Sequence, residues 1–339
     1  MKKFFKSAIM IIGSIMFFTT SAFSASVTVT NISGDAATLT ILQNNINSNT
    51  DFQHLGTLTD FSRGMADTQA ATATNGASLF GYQNYDYITV STGLLFAYQL
   101  PKLGSSASEV LEDDLQDDGD TYAGGDMKFT YVNVGINTSF LIDRTYVNFK
   151  AGGLDTSGDD YYFNSKFFAI GMNYNFIDKS SMPGGLFKWR GVTLKTGFVY
   201  QQTDSKLQLD FEKSYTGGSY SYDLKFDLHS ETTTYTIPFE IATSQQIFWI
   251  LNLAVGAGVD LNFGKTDLTA EATDVTSGGT SVATVTVNGV NSSGENPTLF
   301  RPKLMVAAGT NLGPVKIDVP FYYYPAAGWS WGVSLAAVF

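Results

Sequence analysis

Two histidines and no cysteine in 339 residues leave this chain few ways to do covalent or metal chemistry. One histidine stands in Asp227-Leu228-His229. On a strand, that spacing sets a carboxylate and an imidazole on one face, a pair able to activate water. No Asp-x-Asp pair opens a facing segment to complete such a site, and an acid beside a surface histidine is by itself ordinary surface. The other, His54, has no second ligand near it in sequence and does not read as a metal site. The run Glu109, Glu112, Asp113, Asp114, Asp117, Asp118, Asp120 is dense in oxygen ligands, but Gln116 and Gly125 break the frame of an EF-hand loop. Like charges so close repel and extend, so the run reads as a solvated link. A third set, Lys150, Lys195, Glu240, Asp260, Arg301, Lys303, Lys316 and Asp318, falls opposite rows of apolar residues. Its surplus of positive charge could attract an anion such as a carboxylate headgroup, or its members could simply pair with one another. No catalytic residue, cofactor or metal ligand is assigned, and the chain reads as a non-enzyme.

The elements that must position these groups are strands. In Trp329–Phe339, Trp329, Trp331, Val333, Leu335, Ala337 and Phe339 alternate with Ser330, Gly332, Ser334 and Ala336. One face suits lipid and the other a polar lumen. Residues 247–263 repeat this, with Trp249, Leu251, Leu253, Val255, Val259 and Leu261 against Asn252, Gly256, Gly258, Asp260 and Asn262. Ten such segments are predicted, at 86–99, 127–142, 145–153, 161–177, 188–203, 229–242, 247–263, 298–312, 314–324 and 328–339. Most are long enough to cross a bilayer at a tilt. Links alternate as in transmembrane barrels, with long outer loops and short inner turns. The outer links are 100–126, 154–160, 204–228, 264–297 and 325–327; the inner ones are Asp143-Arg144, 178–187, Thr243–Gln246 and Gly313. Residues 201–230 keep alternating past the expected wall and should project as a ribbon, as should 265–290; if either is tilted into the wall, the count rises to 12 or 14. The parity places both ends of the barrel on the inner side.

The fold class predicted is therefore all-β: a transmembrane, antiparallel, up-and-down barrel of about ten strands, at residues 86–339. Ahead of it, Lys2, Lys3 and Lys6, an apolar run from Ala8 to Phe18, and the small residues around Ser21–Ala25 form a secretory leader, residues 1–24, cut after Ser24. Residues 25–85 lack the barrel pattern; Ala36–Ile46 and Thr57–Thr74 look helical and form either a plug or a piece on the inner side. Without cysteine there are no disulfides and no lipid anchor at a thiol. With 14% aromatics and 33 glycines, but no long apolar run after Phe18, the composition fits a barrel in the outer membrane. The formal charge of −11 becomes −14 once the three leader lysines are gone, which argues against a nucleic-acid partner.

The stretch Gly64-Met65-Ala66-Asp67-Thr68-Gln69-Ala70-Ala71-Thr72-Ala73-Thr74-Asn75-Gly76-Ala77 resembles the junction of plug and barrel in FadL-type long-chain fatty-acid transporters. There an Asp, a small-residue turn and Asn-Pro-Ala precede the first strand; here Asp67 and Asn75-Gly76-Ala77 match, without the proline. The resemblance implies a hatch inside the barrel and passage of hydrophobic or amphipathic molecules through its wall, though such transporters have fourteen strands. Asp227-Leu228-His229 is similar to the Asp-x-His pair of omptin proteases, a remote alternative. A further alternative is a surface-binding or adhesin barrel with a closed lumen, its ribbons and acidic loop contacting partners. The expected partners are outer-membrane lipid, a small hydrophobic or amphipathic molecule, and the barrel-insertion machinery, for which a C-terminal aromatic such as Phe339 is a resemblance to outer-membrane proteins generally.

Overall fold

The computed structural model of the protein describes residues 26–32, Asn44, 58–74, 88–99, 124–158, 161–181, 186–217, 220–272, 275–277, 280–288, 292–325 and 328–339. In chain order the elements are β1 (Ser26–Ile32), α1 (Leu58–Thr74), β2 (Ile88–Gln99), β3 (Gly124–Asn137), β4 (Thr145–Ser157), β5 (Tyr161–Ile177), β6 (Ser180–Ser181), β7 (Phe187–Gly217) and β8 (Tyr220–Ile247). There follow β9 (Leu251–Ala272), β10 (Val275–Ser277), β11 (Thr280–Asn288), β12 (Ser292–Glu295), β13 (Phe300–Leu312), β14 (Val315–Tyr324) and β15 (Gly328–Val338).

Ten of the strands form a ring. β2, β3, β4, β5, β7, β8, β9, β13, β14 and β15 pair antiparallel with their neighbours in that order, and β15 pairs with β2 along its whole length, so the wall has no free edge. At the seam Ile88 and Phe339 exchange both backbone hydrogen bonds, Ile88 N to Phe339 O at 3.2 Å and Phe339 N to Ile88 O at 2.9 Å. Closure leaves no strand edge unpaired, the condition for a sheet to stand in lipid. Alternation does the sorting. Leu194, Phe239, Ile241, Val255, Leu304, Val306, Val333 and Leu335 are exposed on the outside, while Thr193, Lys195, Glu240, Asp260, Ser330 and Ser334 are buried inside. A continuous exposed belt of this composition would aggregate in water.

The two rims differ. Short turns join β3 to β4, β8 to β9 and β13 to β14 at the rim that holds Ile88 and Phe339. At the other rim β7 and β8 run on together as a ribbon out to Gly217 and Tyr220, with β9 alongside β8 as far as Ala272. β10, β11 and β12 lie in the link from β9 to β13 at that same rim.

Two predicted strands overran their turns. The 127–142 segment stops at Asn137: its side-chain carbonyl accepts from Ser139 N at 2.9 Å, and Leu141 and Ile142 donate back to Thr138 O, so Phe140, Leu141 and Ile142 lie exposed in a turn. The 247–263 segment starts instead at Leu251, because Phe248 and Trp249 both adopt left-handed φ, 51° and 62°, as the centre of a tight hairpin turn. The inner link is therefore 248–250 rather than Thr243–Gln246. Residues 26–85 also hold a strand, β1, where none was expected, and it lies at the ribbon rim rather than the inner side. The helix expected at Ala36–Ile46, the acidic run at Glu109–Asp120, His54 and the leader fall outside the described residues, Asn44 apart.

Candidate functional site

The lumen is occupied by α1. Leu58-Thr59-Asp60-Phe61-Ser62-Arg63-Gly64-Met65-Ala66-Asp67-Thr68-Gln69-Ala70-Ala71-Thr72-Ala73-Thr74 is an indifferent helix former, and three of its threonines turn their hydroxyls back onto carbonyls four residues earlier: Thr68 to Gly64, Thr72 to Thr68 and Thr74 to Ala70, at 2.6–2.8 Å. Such a helix needs its surroundings to persist. It has them on every side, since α1 contacts β2, β3, β5, β7, β8, β9, β12 and β15, and Ala66 through Thr74 are all buried. Small side chains let the wall come close: a methyl group on Gly124 of β3 would overlap the Gly64 carbonyl.

The wall holds the helix by polar contacts at three heights. Near the ribbon rim the Asp67 carboxylate accepts from Thr298 N at 2.6 Å and Thr298 Oγ1 at 2.8 Å. There Arg301 donates to the Asp67 carbonyl at 2.6 Å and to Gln99 Oε1 at 3.0 Å, with its guanidinium 4.4 Å from the Tyr324 ring centre. Lower down, Gln69 donates to Thr232 O at 3.2 Å and Gln201 to Ala70 O at 3.3 Å. At the end of α1 the Lys150 ammonium donates to Ala73 O. The last turn of α1 carries no basic residue of its own, so a wall lysine supplies the cation that the negative end of the helix dipole favours.

Beside α1 runs an ion-pair chain. Lys303 bridges Glu240 and Asp260, with Nζ 2.7 Å from Asp260 Oδ1; Lys195 Nζ lies 3.0 Å from Glu240 Oε2, and Tyr324 donates to Asp260 Oδ2 at 2.9 Å. Register explains the chain. Lys303 and Glu240 both face Gly258, from β13 and from β8, and with no side chain between them they meet across three strands. A Cβ on Gly258 would stand 2.4 Å from Phe239 O and 2.9 Å from Glu240 Cγ.

All eight charges predicted for the inner face are buried inside: Lys150, Lys195, Glu240, Asp260, Arg301, Lys303, Lys316 and Asp318. The first six gather around α1 and the ion-pair chain. Lys316 and Asp318 stand lower on β14, opposite Asn311 and Gly309. Asp67 sits on α1, while Asn75, Gly76 and Ala77 lie outside the described residues. Sequence reasoning missed the buried pair Asp126 and Lys128, which touch each other, and Arg190, which donates to Gln246. It also missed Thr298, the partner of Asp67. His229 pairs with Asp204 across the ribbon, Nε2 to Oδ1 at 3.0 Å, with Glu231 at 3.8 Å, at a half-exposed position; the side chain of Asp227 is outside the described residues. Among the described residues no group of three or more His, Asp or Glu could hold a metal ion.

Below α1 the wall has a weak point. Pairing of β7 with β8 is interrupted between Thr196 opposite Phe239 and Val199 opposite Thr236; the inward residues there are Gly197 and Pro238, and proline has no N–H to give. β14 and β15 show the same interruption at Pro320 and Gly332. Behind the first, under the end of α1, lies a cavity of about 20 Å³, room for one water, lined among others by Lys150, Lys195, Asn148, Gly171, Gly197 and Pro238.

The profile of the Lsa36-like family matches residues 22–339. No curated protein matches the chain in sequence. Among solved structures, the translocator domain of the autotransporter NalP from Neisseria meningitidis is 12% identical over 76% of this chain and 90% of its own, with a TM-score of 0.32. The transport unit of the autotransporter AIDA-I from Escherichia coli is 7% identical over 84% and 99%, with a TM-score of 0.30. A Pseudomonas aeruginosa FadL homologue is 10% identical over 81% and 98%, with a TM-score of 0.26. The chain thus bears a weak resemblance to outer-membrane barrels, a FadL-type protein among them.

Proposed function

The chain belongs to the Lsa36-like family, and we propose that it is an outer-membrane barrel that admits small amphipathic anions, of the fatty-acid type, through its wall. The apolar belt supports the membrane placement, because it surrounds a closed wall whose buried charges, Lys150, Lys195, Glu240, Asp260, Arg301 and Lys303 among them, face inward. The observation that carries the transport reading is the cavity under Gly197 and Pro238. Straight passage is barred by α1, whereas this point combines a thinned wall, a missing main-chain bond and two lysine side chains just inside. An apolar tail would lie along the lipid-facing side and the carboxylate would be drawn to Lys150 and Lys195. The test is binding in detergent of a long-chain fatty acid and of its methyl ester. The acid should bind at least about tenfold tighter, and Lys150→Gln should abolish that preference while the barrel stays folded. Equal binding of acid and ester by the unaltered protein would overturn the reading.

A second reading, surface binding with a closed lumen, is favoured by the ribbon of β7 and β8, which runs past the belt to Gly217 and Tyr220. Deleting residues 208–226 should then abolish adhesion of intact cells to matrix-coated surfaces; on the transport reading it leaves fatty-acid binding unchanged.

A further inference from the structure

β1 lies at the opposite rim from the start of the first wall strand. It pairs antiparallel with β11, with Val27 opposite Val287 and Thr28 opposite Thr286. β11 pairs with β10, and β10 meets the β8 ribbon where Thr276 stands opposite Asp223. These partners all belong to the ribbon rim. α1 starts at that rim too, since Gly64 lies against Gly124 at the start of β3 and Asp67 is bonded to Thr298 just ahead of β13. It ends at Lys150, partway down the wall. β2 then begins at the short-turn rim, bonded to Phe339. β1 and the start of α1 therefore lie at one rim and the start of β2 at the other, and α1, between them in the chain, lies in the lumen.

We propose that this barrel carries its own N-terminal segment to the far side of the membrane: β1 is displayed on the outer face, and α1 is the part of the thread held inside. The inference rests on the membrane placement proposed above. A route outside the wall would take bare peptide groups through lipid, at several kcal/mol each. The lumen instead offers Gln201, Lys150, Arg301 and Thr298 as donors to α1. β11 lies in the link between two wall strands, so pairing with it ties β1 to the rim of the closed wall. A segment exported from the inside, with its first strand built into the outer surface, adds to what the ribbon rim presents to the surroundings.

The chain has no cysteine, so each introduced thiol is unique. Single variants Ser26→Cys, Asn296→Cys and Gly313→Cys would be exposed, in intact cells, to a maleimide that cannot cross the outer membrane. Labelling of Ser26→Cys and Asn296→Cys, with Gly313→Cys labelled only after the membrane is opened, is the expected result. Labelling of Asn296→Cys alone in intact cells would overturn the threading while leaving the membrane placement standing. Failure of Asn296→Cys as well would overturn both. To guard against a sheltered thiol at position 26, the pair Thr28→Cys and Thr286→Cys, directly opposite in register, should form a disulfide on mild oxidation of intact cells; without it, β1 is not on that sheet.

Discussion

Lys303 is enclosed by two carboxylates, Glu240 and Asp260, at 1% exposure, and is itself the main compensation for having buried them. Replacing it by Met should cost about 3–5 kcal/mol, since two like charges would remain close together with one cation, Lys195, on Glu240 alone. Thermal unfolding in detergent would show it as a lowered midpoint. Glu240→Gln, which keeps hydrogen-bonding capacity, should cost less. Asp67→Ala removes both bonds to Thr298 and should loosen α1 by about 1–3 kcal/mol without unfolding the wall; faster exchange of the α1 amides, with wall amides unchanged, is the expected signature. The eight inner charges were legible because alternation assigns faces without knowledge of partners. Asp126, Lys128 and Arg190 were not, for a definite reason: bulges break parity. Between Thr130 and Val132 the register of β3 shifts, so a face counted from Asn133 puts Lys128 outside, whereas it is buried within. Gly191, with φ of 84°, sits in the shift between Trp189 and Val192 and does the same for Arg190.

At the scale of elements, the strands followed from period-two patterning and their ends did not. Phe248 and Trp249 are poor residues for left-handed φ, and nothing in Ile247-Phe248-Trp249-Ile250 announces a hairpin; the turn is held by its setting, where Gln246 Nε2 donates to Trp249 O at 2.7 Å and Phe248 N to Leu186 O at 2.8 Å. α1 was legible as a helix from its composition, but its place in the lumen depends on wall residues such as Gln201 and Arg301 that lie more than 100 positions away. β1 is seven residues, with Val and Thr alternating over Val27–Thr30, that carry no mark of their partner. The interruption at Gly197 and Pro238 is where the transport reading can be tested at this scale. Pro238→Val restores an N–H opposite Gly197 and should close the β7–β8 ladder, slowing entry of a fatty acid several-fold with little change in stability. Uptake by Pro238→Val at the unaltered rate would mean that molecules do not enter there.

The described residues form a closed wall with an apolar outside, α1 in the upper lumen, and an interruption at Gly197 and Pro238 behind which Lys150 and Lys195 stand. Extensive exposed Leu, Phe, Ile and Val need lipid, the inward charges need one another, and the helix needs the strands that surround it. On the proposed transport reading, passage goes through the wall rather than along an open bore. The most direct measurement is uptake of a long-chain fatty acid and of a similar-sized sugar by liposomes holding the purified full-length barrel. Saturable uptake of the fatty acid above empty liposomes, with the sugar excluded, is the result expected of a wall route past a seated plug; uptake of both, or of neither, would contradict it.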